Sequence, residues 1–277
     1  MPKYIFVLGG VISGLGKGVT SASICRILTE MGYKVNIKKL DPYLNIDPGT
    51  MNPIEHGEVY VTKCGAEVDL DIGHYERIGG IECNKNNSTS SGKLLFKLLT
   101  DERKGVYLGD TVQLIPHFVD SVRDFIEFNS DAYDFIICEI GGSVGDYEAS
   151  YFLETIRRMI HTYTKSNVMI CFMTYILYYA STDELKTKPT QVAVKQLMSF
   201  GLQPDLLFAR TEKSLDDKTR NKISIYTNVK LKNIIQANNI SNIYKLPLEY
   251  IREGFLVAFA DHFNFNIDNT EIPRLDK

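Results

Sequence analysis

The fold of this chain is decided by residues 4–20, which read YIFVLGGVISGLGKGVT. The run from Tyr4 to Leu8 is apolar throughout and has the length of a buried strand. Glycines follow it, and apolar residues then recur at helical spacing as far as Met31. Gly32 is typical of a helix end, and Val35 to Leu40 predicts a second strand. The first forty residues therefore predict a β-α-β unit with two parallel strands.

The same alternation continues along the chain. Further buried strands are predicted at 135–140, 168–173 and 206–209. Helical patterns cover residues 93–104, 118–128, 149–161, 190–200 and 248–263. We therefore predict an α/β fold, a P-loop-type three-layer domain whose mainly parallel central sheet is flanked by helices. Since no linker or internal repeat divides the sequence, residues 1–277 are expected to form one domain.

Residues 41–92 interrupt the alternation because they mix prolines and glycines with polar and charged side chains. A loop of this length inside a compact domain usually carries function. Its last part, residues 84–92, reads NKNNSTSSG. That composition predicts either a flexible surface connection or the N-cap of the following helix.

The composition excludes several classes of protein. The chain has 277 residues, of which 44% are hydrophobic and 23% charged, so it is too apolar to be disordered. Its formal net charge of -3 lacks the basic excess of a general nucleic-acid binder. The longest apolar stretch, residues 168–180, is shorter than the roughly 18 residues of a membrane span. No nucleic-acid or membrane partner is therefore expected.

The cysteines and the N-terminus suggest a location. There are 5 cysteines and no CxxC pair, so the spacing favours neither a disulfide framework nor a zinc site. Reduced and mostly buried thiols are expected. The N-terminal residues lack the features of a signal peptide. A cytoplasmic location is the prediction.

The glycine-rich segment at 9–18, GGVISGLGKG, lies between the first predicted strand and helix. Backbone N–H groups and the helix dipole bind phosphates at such a position, and Lys17 would reach the outer phosphates. The segment departs from a strict Walker A motif because five residues separate Gly10 from Gly16 and Gly18 replaces the hydroxyl residue. A tight glycine turn without a ligand is the alternative.

Two carboxylates are candidates for binding magnesium. Glu139 ends a predicted buried strand, where open α/β sheets bind their ligands. Asp71 lies in the segment 67–77, which also contains Asp69 and His74. One or two carboxylates suffice for Mg2+ bound together with a triphosphate. Each of these residues could instead be an exposed charge or a helix cap.

Residues 186–191, KTKPTQ, open a predicted helix. Pro189 suits the first helical turn, and two lysines precede the positive end of the helix dipole. The lysines could simply be solvated. Together with the glycine loop, however, they predict two separate sites for polyanions. Two nucleotide sites favour a transferase or ligase over a P-loop switch or partitioning ATPase, which binds one nucleotide and moves a partner.

Long uninterrupted motifs resemble the synthetase (amidoligase) domain of the CTP synthase family, from about Tyr4 to Phe263. The motifs are GGVISGLGKG at 9–18, KLDPYLNIDPGTMNPIEHGEVYV at 39–61, GAEVDLDIGHYER at 65–77, YLGDTVQLIPH at 107–117, EIGGSVGDYE at 139–148 and ELKTKPTQ at 184–191. The resemblance implies ATP-dependent amination of UTP to CTP through a UTP phosphorylated at uracil O4, with Mg2+ as the cofactor and CTP as an inhibitor. A catalytically silent, regulatory relative is a further alternative.

The resemblance also implies how ammonia is supplied and how copies assemble. The family continues into a glutaminase domain that releases ammonia from glutamine, and these 277 residues hold no such domain. The chain is therefore expected to use free ammonia. A homotetramer is the implied assembly.

The resemblance finally implies a set of site residues. Lys17 and Lys39 are the implied catalytic groups, and Asp71 and Glu139 would hold magnesium. The implied ATP site consists of Ser13, Gly14, Leu15, Gly16, Lys17, Gly18, Val19, Asp71, Asn238, Asn239 and Ile240. The implied UTP and CTP site consists of Ser13, Gln113, Asp146, Tyr147, Glu148, Lys186, Thr187, Lys188, Pro189, Thr190, Gln191 and Lys222. His56 and Glu58 would line the ammonia entrance.

Overall fold

A seven-stranded, wholly parallel sheet forms the centre of the molecule. This computed structural model describes residues 1–265, without the side chains of Glu55 and His56. Within that range the strands are β1 (Lys3–Gly9), β2 (Val35–Asp41), β3 (Tyr60–Val61), β4 (Glu67–Val68), β5 (Ser88–Ser90), β6 (Phe135–Ile140), β7 (Val168–Tyr175), β8 (Leu177–Tyr179), β9 (Glu184–Lys186), β10 (Leu206–Thr211) and β11 (Ile234–Asn238). The central sheet has the order β11-β10-β7-β1-β6-β2-β5.

Helices cover both faces of this sheet. In the part of the chain that the structure describes, they are α1 (Lys17–Glu30), α2 (Pro53–His56), α3 (Asp71–Arg77), α4 (Ser91–Arg103), α5 (Val119–Glu127), α6 (Ser150–Tyr163), α7 (Lys188–Ser199), α8 (Asp217–Thr227), α9 (Leu246–Arg252) and α10 (Phe255–Phe263). None of the helices described is both long and apolar enough to cross a membrane.

Two apolar cores lie on the two faces of the sheet. Helices α1, α3, α9 and α10 pack on one face, against side chains such as Val7 and Ile137. Helices α4 to α8 pack on the other face, against neighbouring strand residues such as Leu8 and Cys138. Because strand side chains alternate between faces, every central strand is buried on both sides and is apolar almost throughout. The predicted three-layer α/β fold is confirmed.

The sequence patterns located the inner strands and missed the outer ones. The five predicted strands are all present, but β5 and β11, at the two edges of the sheet, were not predicted. The segment 84–92 is more than a flexible connection, since it contributes β5. Its alternative reading as an N-cap is correct, because Ser90 Oγ accepts a hydrogen bond of 3.1 Å from the backbone N–H of Lys93.

One helix prediction was wrong. The helical pattern at 248–263 is divided into α9 and α10 by Gly254, whose φ of 94° lies in the left-handed region that ends a helix. The four cysteines at 25, 83, 138 and 171 are buried and Cys64 is exposed, and all five are free thiols. The expectation of reduced, mostly buried cysteines agrees with this arrangement.

Candidate functional site

The glycine loop between β1 and α1 lies at the carboxyl end of the sheet, where parallel α/β folds bind ligands. Gly16 is the N-cap of α1 and has a φ of 88°, a conformation that favours glycine. The loop, with Lys17 as the first residue of α1, lines a cavity of about 340 Å³. Unpaired N–H groups at a helix start attract anions, so this cavity suits phosphate groups.

Lys17 is held across this cavity. Its Nζ donates a hydrogen bond of 2.5 Å to the carbonyl oxygen of Gly142, in the loop that follows β6. Burial lowers the pKa of Lys17, although nearby Glu139 counteracts this effect. A phosphate bound at the helix start would place a further negative charge beside Lys17 and so favour its protonated form.

The second predicted catalytic lysine, Lys39, projects from β2 into the same cavity. Lys39 and Glu139 are register partners on the adjacent parallel strands β2 and β6, so their side chains emerge side by side. Lys39 Nζ lies 3.1 Å from Glu139 Oε1 and also donates to Asp71 Oδ2. Asp41 and Asp69 are 3.7 and 3.8 Å away. One ammonium thus joins four carboxylates.

These charges shift one another's pKa values. Burial by itself lowers the pKa of Lys39, but its four carboxylate neighbours outweigh that effect and hold it well above the usual value. Burial raises the pKa of Glu139 to about 7, and repulsion by Asp71 adds to the rise. Burial likewise raises the pKa of Asp41 to about 7. Burial and mutual repulsion thus disfavour the charged forms of these carboxylates, and a bound cation would favour them.

Asp71 and Glu139 fit a magnesium ion by their chemistry and position. Both offer carboxylate oxygens, the donors that Mg2+ prefers, and both line the cavity of the glycine loop. Asp71 reaches the cavity as the first residue of α3, and its Oδ1 lies against the Cα of Gly18. Both carboxylates contact Lys39 Nζ, so a cation bound to them would compete with this ammonium group.

A second cavity of about 770 Å³ adjoins the glycine loop. Lys186 at the end of β9, Lys188 at the start of α7, Pro189 and Asp146 line it, as does Val11 of the glycine loop. The segment from Gly141 to Asp146 lines both cavities in turn. The structure thus places the two predicted polyanion sites next to each other.

Other residues expected at the UTP and CTP site are not among those that line the second cavity. Gln113, Tyr147, Glu148 and Lys222 are exposed, and Tyr147 is 91% exposed. Three more have buried side chains that bond within the protein: Gln191 Nε2 donates to Thr187 Oγ1 at 2.9 Å, and Thr190 Oγ1 bonds to Thr174 and to the carbonyl of Tyr175. Ser13 lines the cavity that contains Lys17.

A third cavity, of about 400 Å³, lies on the other side of the glycine loop. Asn238, Asn239 and Ile240, which were expected near the adenine, line it together with Leu15 and Gly16, and Val19 also contributes. An apolar and amide lining of this kind suits a nucleobase. Asn238 is the last residue of β11, and Asn239 and Ile240 follow it, so this edge strand carries them to the carboxyl end of the sheet.

Sequence reasoning missed Arg210 in this third cavity. Its Nη1 donates to the Leu15 carbonyl at 2.7 Å and its Nη2 to Asn239 Oδ1 at 3.2 Å, so it links the glycine loop to the segment after β11. The sequence signal was its position directly after the predicted strand 206–209. Asp41 was missed in the same way, since it ends β2.

The expected ammonia entrance is described in part. Glu58 is exposed in the segment between α2 and β3. The side chain of His56 lies outside the described part of the chain.

Comparison with known proteins identifies relatives over nearly the whole chain. The curated CTP synthase of Pelagibacter ubique (strain HTCC1062) is 48% identical over 263 residues, which are 95% of this chain and 49% of that protein. The CTP synthase of Zymomonas mobilis is 47% identical over 268 residues, 97% of this chain and 49% of that protein. That of Cereibacter sphaeroides (strain ATCC 17029) is 46% identical over 277 residues, 100% of this chain and 50% of that protein.

The chain therefore spans about half the length of the curated relatives it matches. Among solved structures, the signal recognition particle receptor FtsY from Elizabethkingia anophelis in complex with GDP has a TM-score of 0.43 and 13% identity, covering 90% of this chain and 63% of that one. The family model described as CTP synthase N-terminus matches residues 3–265. By this match and these identities, the chain belongs to the CTP synthase N-terminus family.

Proposed function

We propose that this chain catalyses the synthetase reaction of CTP formation, the ATP-dependent amination of UTP. In the first step, uracil O4 attacks the γ-phosphorus of ATP as N3 loses its proton, the bond to the bridging oxygen breaks, and ADP leaves. In the second step, ammonia attacks C4 and the O4-linked phosphate leaves as inorganic phosphate, with loss of a proton. Phosphorylation turns a poor leaving group into a good one.

One observation carries this proposal. The glycine loop contributes to three cavities: two of them are suited to the phosphates and to the base of one nucleotide, and the third contains Lys186 and Lys188. Transfer between two nucleotides requires two such sites in contact. A switch ATPase requires only one of them, so the second basic cavity favours the synthetase function. Family membership supports the same assignment.

The two lysines would stabilise the phosphoryl group during transfer. Phosphoryl transfer needs positioning and charge neutralisation more than covalent help from the protein. Lys17, now bonded to the Gly142 carbonyl, would move its ammonium to the phosphate oxygens. Lys39 is fixed by carboxylates from β6 and α3, so its charge is positioned before the reaction begins. Both lysines are therefore proposed as catalytic residues.

Asp71 and Glu139 would hold magnesium, which when bound neutralises charge on the phosphates. The proposal for ATP rests on the glycine loop and on the cavity lined by Asn238, Asn239 and Ile240. Because CTP and UTP share a triphosphate, both would use Lys186 and Lys188, and CTP would inhibit by occupying this subsite. The cytosine is proposed to bind near Asp146, Tyr147 and Glu148.

The assembly and the supply of ammonia are further parts of the proposal. A homotetramer is proposed as the assembly, and the exposed apolar side chains of Phe96 and Leu99 on α4 and of Leu108 are candidates for its interfaces. His56 and Glu58 are proposed to shape the entry of ammonia. The reaction would take place in the cytoplasm, where its nucleotides are found.

The decisive experiment is absorbance-monitored conversion of UTP to CTP by the purified chain with ATP, magnesium and an ammonium salt. CTP formation that depends on all three is the expected result. Calorimetric titration of UTP onto protein saturated with a non-hydrolysable ATP analogue is the complementary test. Saturable UTP heat supports two nucleotide sites, whereas its absence together with ATP hydrolysis would identify a switch ATPase.

A further inference from the structure

Tyr75 is a buried phenol beneath the candidate active site. Its side chain is 0% exposed, and its ring packs in the apolar core between the sheet and helices α1 and α3. The hydroxyl is its one polar side-chain atom, and it donates a hydrogen bond to Glu139 Oε2. A tyrosine hydroxyl is protonated at neutral pH, so it can serve as the donor to a carboxylate there.

Both oxygens of Glu139 are therefore engaged by the protein. Lys39 Nζ binds Oε1 at 3.1 Å, and the Tyr75 hydroxyl binds Oε2. Glu139 is 1% exposed, and a buried carboxylate gains much from each donor because water does not replace it. Two donors on two oxygens fix the plane of the carboxylate as well as its position.

Helix α3 links this contact to the other candidate magnesium ligand. Asp71 and Tyr75 are four residues apart on α3, so they lie on the same face of the helix. Asp71 reaches the cavity from that face, while Tyr75 reaches Glu139 of β6. The position of α3 therefore sets the separation of the two carboxylates.

We propose that Tyr75 is a positioning residue for divalent-cation binding, which orients the Glu139 carboxylate and couples it to Asp71 through α3. This inference rests on the proposed function, in which the two carboxylates hold magnesium with a nucleotide. Partners that orient metal ligands typically change metal affinity or activity by about 10- to 100-fold when they are removed. A weakening of that size is expected on loss of the Tyr75 hydroxyl.

The test is the affinity for Mn2+, measured by electron paramagnetic resonance with a saturating non-hydrolysable ATP analogue. Tyr75→Phe keeps the ring and removes the hydroxyl, and we expect about 10- to 100-fold weaker Mn2+ binding. The affinity for the nucleotide without metal should be unchanged. Para-aminophenylalanine at position 75 restores an N–H donor and should recover most of the affinity, which a purely structural role would not predict.

Tyr4→Phe is the matched control. Tyr4 is also buried, and its hydroxyl donates to Ser130 Oγ at 3.4 Å near the start of β1, at the amino end of the strands, whereas the site lies at their carboxyl end. The Tyr4→Phe variant should have a lower free energy of unfolding and an unchanged affinity for Mn2+. A double-mutant cycle with Glu139→Gln shows whether Tyr75 acts through Glu139, because Tyr75→Phe should then have little further effect on Mn2+ binding.

Three results would overturn the proposal. They are wild-type Mn2+ affinity in Tyr75→Phe, an undiminished effect of that substitution in the Glu139→Gln background, and no recovery with para-aminophenylalanine. If Tyr75→Phe does not fold, the para-aminophenylalanine variant alone decides. The proposal then requires this variant to bind Mn2+ more tightly than Glu139→Gln does. If the wild-type protein with the nucleotide analogue binds no Mn2+, the proposed function itself fails and the inference fails with it.

Discussion

The carboxylate of Asp71 lies in the space that a β-carbon on Gly18 would occupy. A strict Walker A motif has Ser or Thr at the position after the lysine, where the hydroxyl binds the metal ion. Here a side chain from α3 reaches over the start of α1 instead. The glycine at position 18 is thus explained by packing, and the departure from the motif brings a carboxylate to the candidate phosphate site.

Gly18→Ala tests this relationship, because the contact with Asp71 decides whether the substitution raises or lowers the free energy of unfolding. Alanine in a helix interior is normally about 1 kcal/mol more favourable than glycine. Because the added methyl group would collide with Asp71, we expect instead a loss of about 1–3 kcal/mol in the free energy of unfolding, together with a loss of activity. Urea denaturation measures the first. In an Asp71→Ala background the two closest atoms are gone, and Gly18→Ala should then cost much less.

The inner part of the fold could be predicted because its strands are buried on both faces. β1, β6 and β7 are continuous apolar runs, and the glycine loop marks the first strand-to-helix turn. The edge strands lack this signal. β5 is Ser-Thr-Ser and gains its structure by pairing with Lys39, Leu40 and Asp41 of β2, which is a property of the assembled sheet. β11 is short and ends in polar residues.

The candidate site was predictable where its residues stand in linear motifs. Lys17 follows the glycine loop, and Glu139 is the last residue but one of the apolar strand β6. Tyr75 could not be recognised in this way, because its role depends on how α3 packs under β6. The carboxylate of Asp41 differs from Tyr75, because Lys39 and Asp41 are two residues apart in β2 and so lie on the same face of that strand. Contacts between elements distant in sequence leave no local pattern.

Lys17→Ala should abolish turnover and leave the protein folded. Its ammonium bonds to one exposed carbonyl, at Gly142, so its removal should leave the core undisturbed. Loss of one preorganised donor to a developing negative charge costs about a hundred- to a thousandfold in rate. Steady-state CTP formation is the measurement. Lys97→Ala, which removes a surface lysine paired with Asp101, is the control and should retain full activity. Near wild-type activity of Lys17→Ala would contradict the ATP assignment.

Replacing Lys186 and Lys188 together by Ala should weaken UTP and CTP alike, because both triphosphates would use these two ammonium groups. Binding of an ATP analogue should hardly change, since neither lysine lines the two cavities proposed for the phosphates and the base of ATP. Calorimetry measures the three affinities. Lys213→Ala is the control because this lysine pairs with Asp183 on the surface. A parallel loss of ATP affinity would refute the separation of the two sites.

Glu148→Ala should weaken inhibition by CTP more than the use of UTP, since the proposed cytosine position lies beside Asp146, Tyr147 and Glu148. The exposed side chain of Glu148 makes a structural effect of the substitution small. Inhibition constants and the KM for UTP are compared in the same assay. An equal fall in both affinities would show that the two bases do not occupy separate positions.

Lys38 should make stability depend on pH. Its Nζ is buried and donates to the carbonyls of Phe125 and Phe128, at 2.6 and 2.9 Å, where α5 ends. Burial lowers its pKa to about 8, below the value near 10.4 of an unfolded lysine. The unfolded chain therefore binds more protons between these values, so stability contributed at this site rises as the pH increases through that window.

Lys38→Met removes this titration and keeps the length of the side chain. Relative to this variant, the wild type should gain on the order of 1–3 kcal/mol in the free energy of unfolding between pH 7 and pH 10. Urea unfolding at several pH values measures the difference, and other titrating groups cancel in the comparison. A constant difference across the range would show that Lys38 has the same pKa in both states.

The nitrogen donor should be NH3 and not ammonium, because attack on C4 requires a lone pair. At fixed total ammonium, the rate should therefore rise about tenfold for each pH unit below the ammonium pKa. The test belongs above pH 7, since burial raises the pKa of Glu139 and of Asp41 to about 7 and their protonation would lower the rate for another reason. CTP formation is measured at saturating ATP, UTP and magnesium over a series of pH values and ammonium chloride concentrations. Rates plotted against the NH3 concentration should fall on one curve. If they follow total ammonium instead, the proposed nucleophile is wrong, even if Lys17→Ala still removes activity and the two nucleotide sites stand.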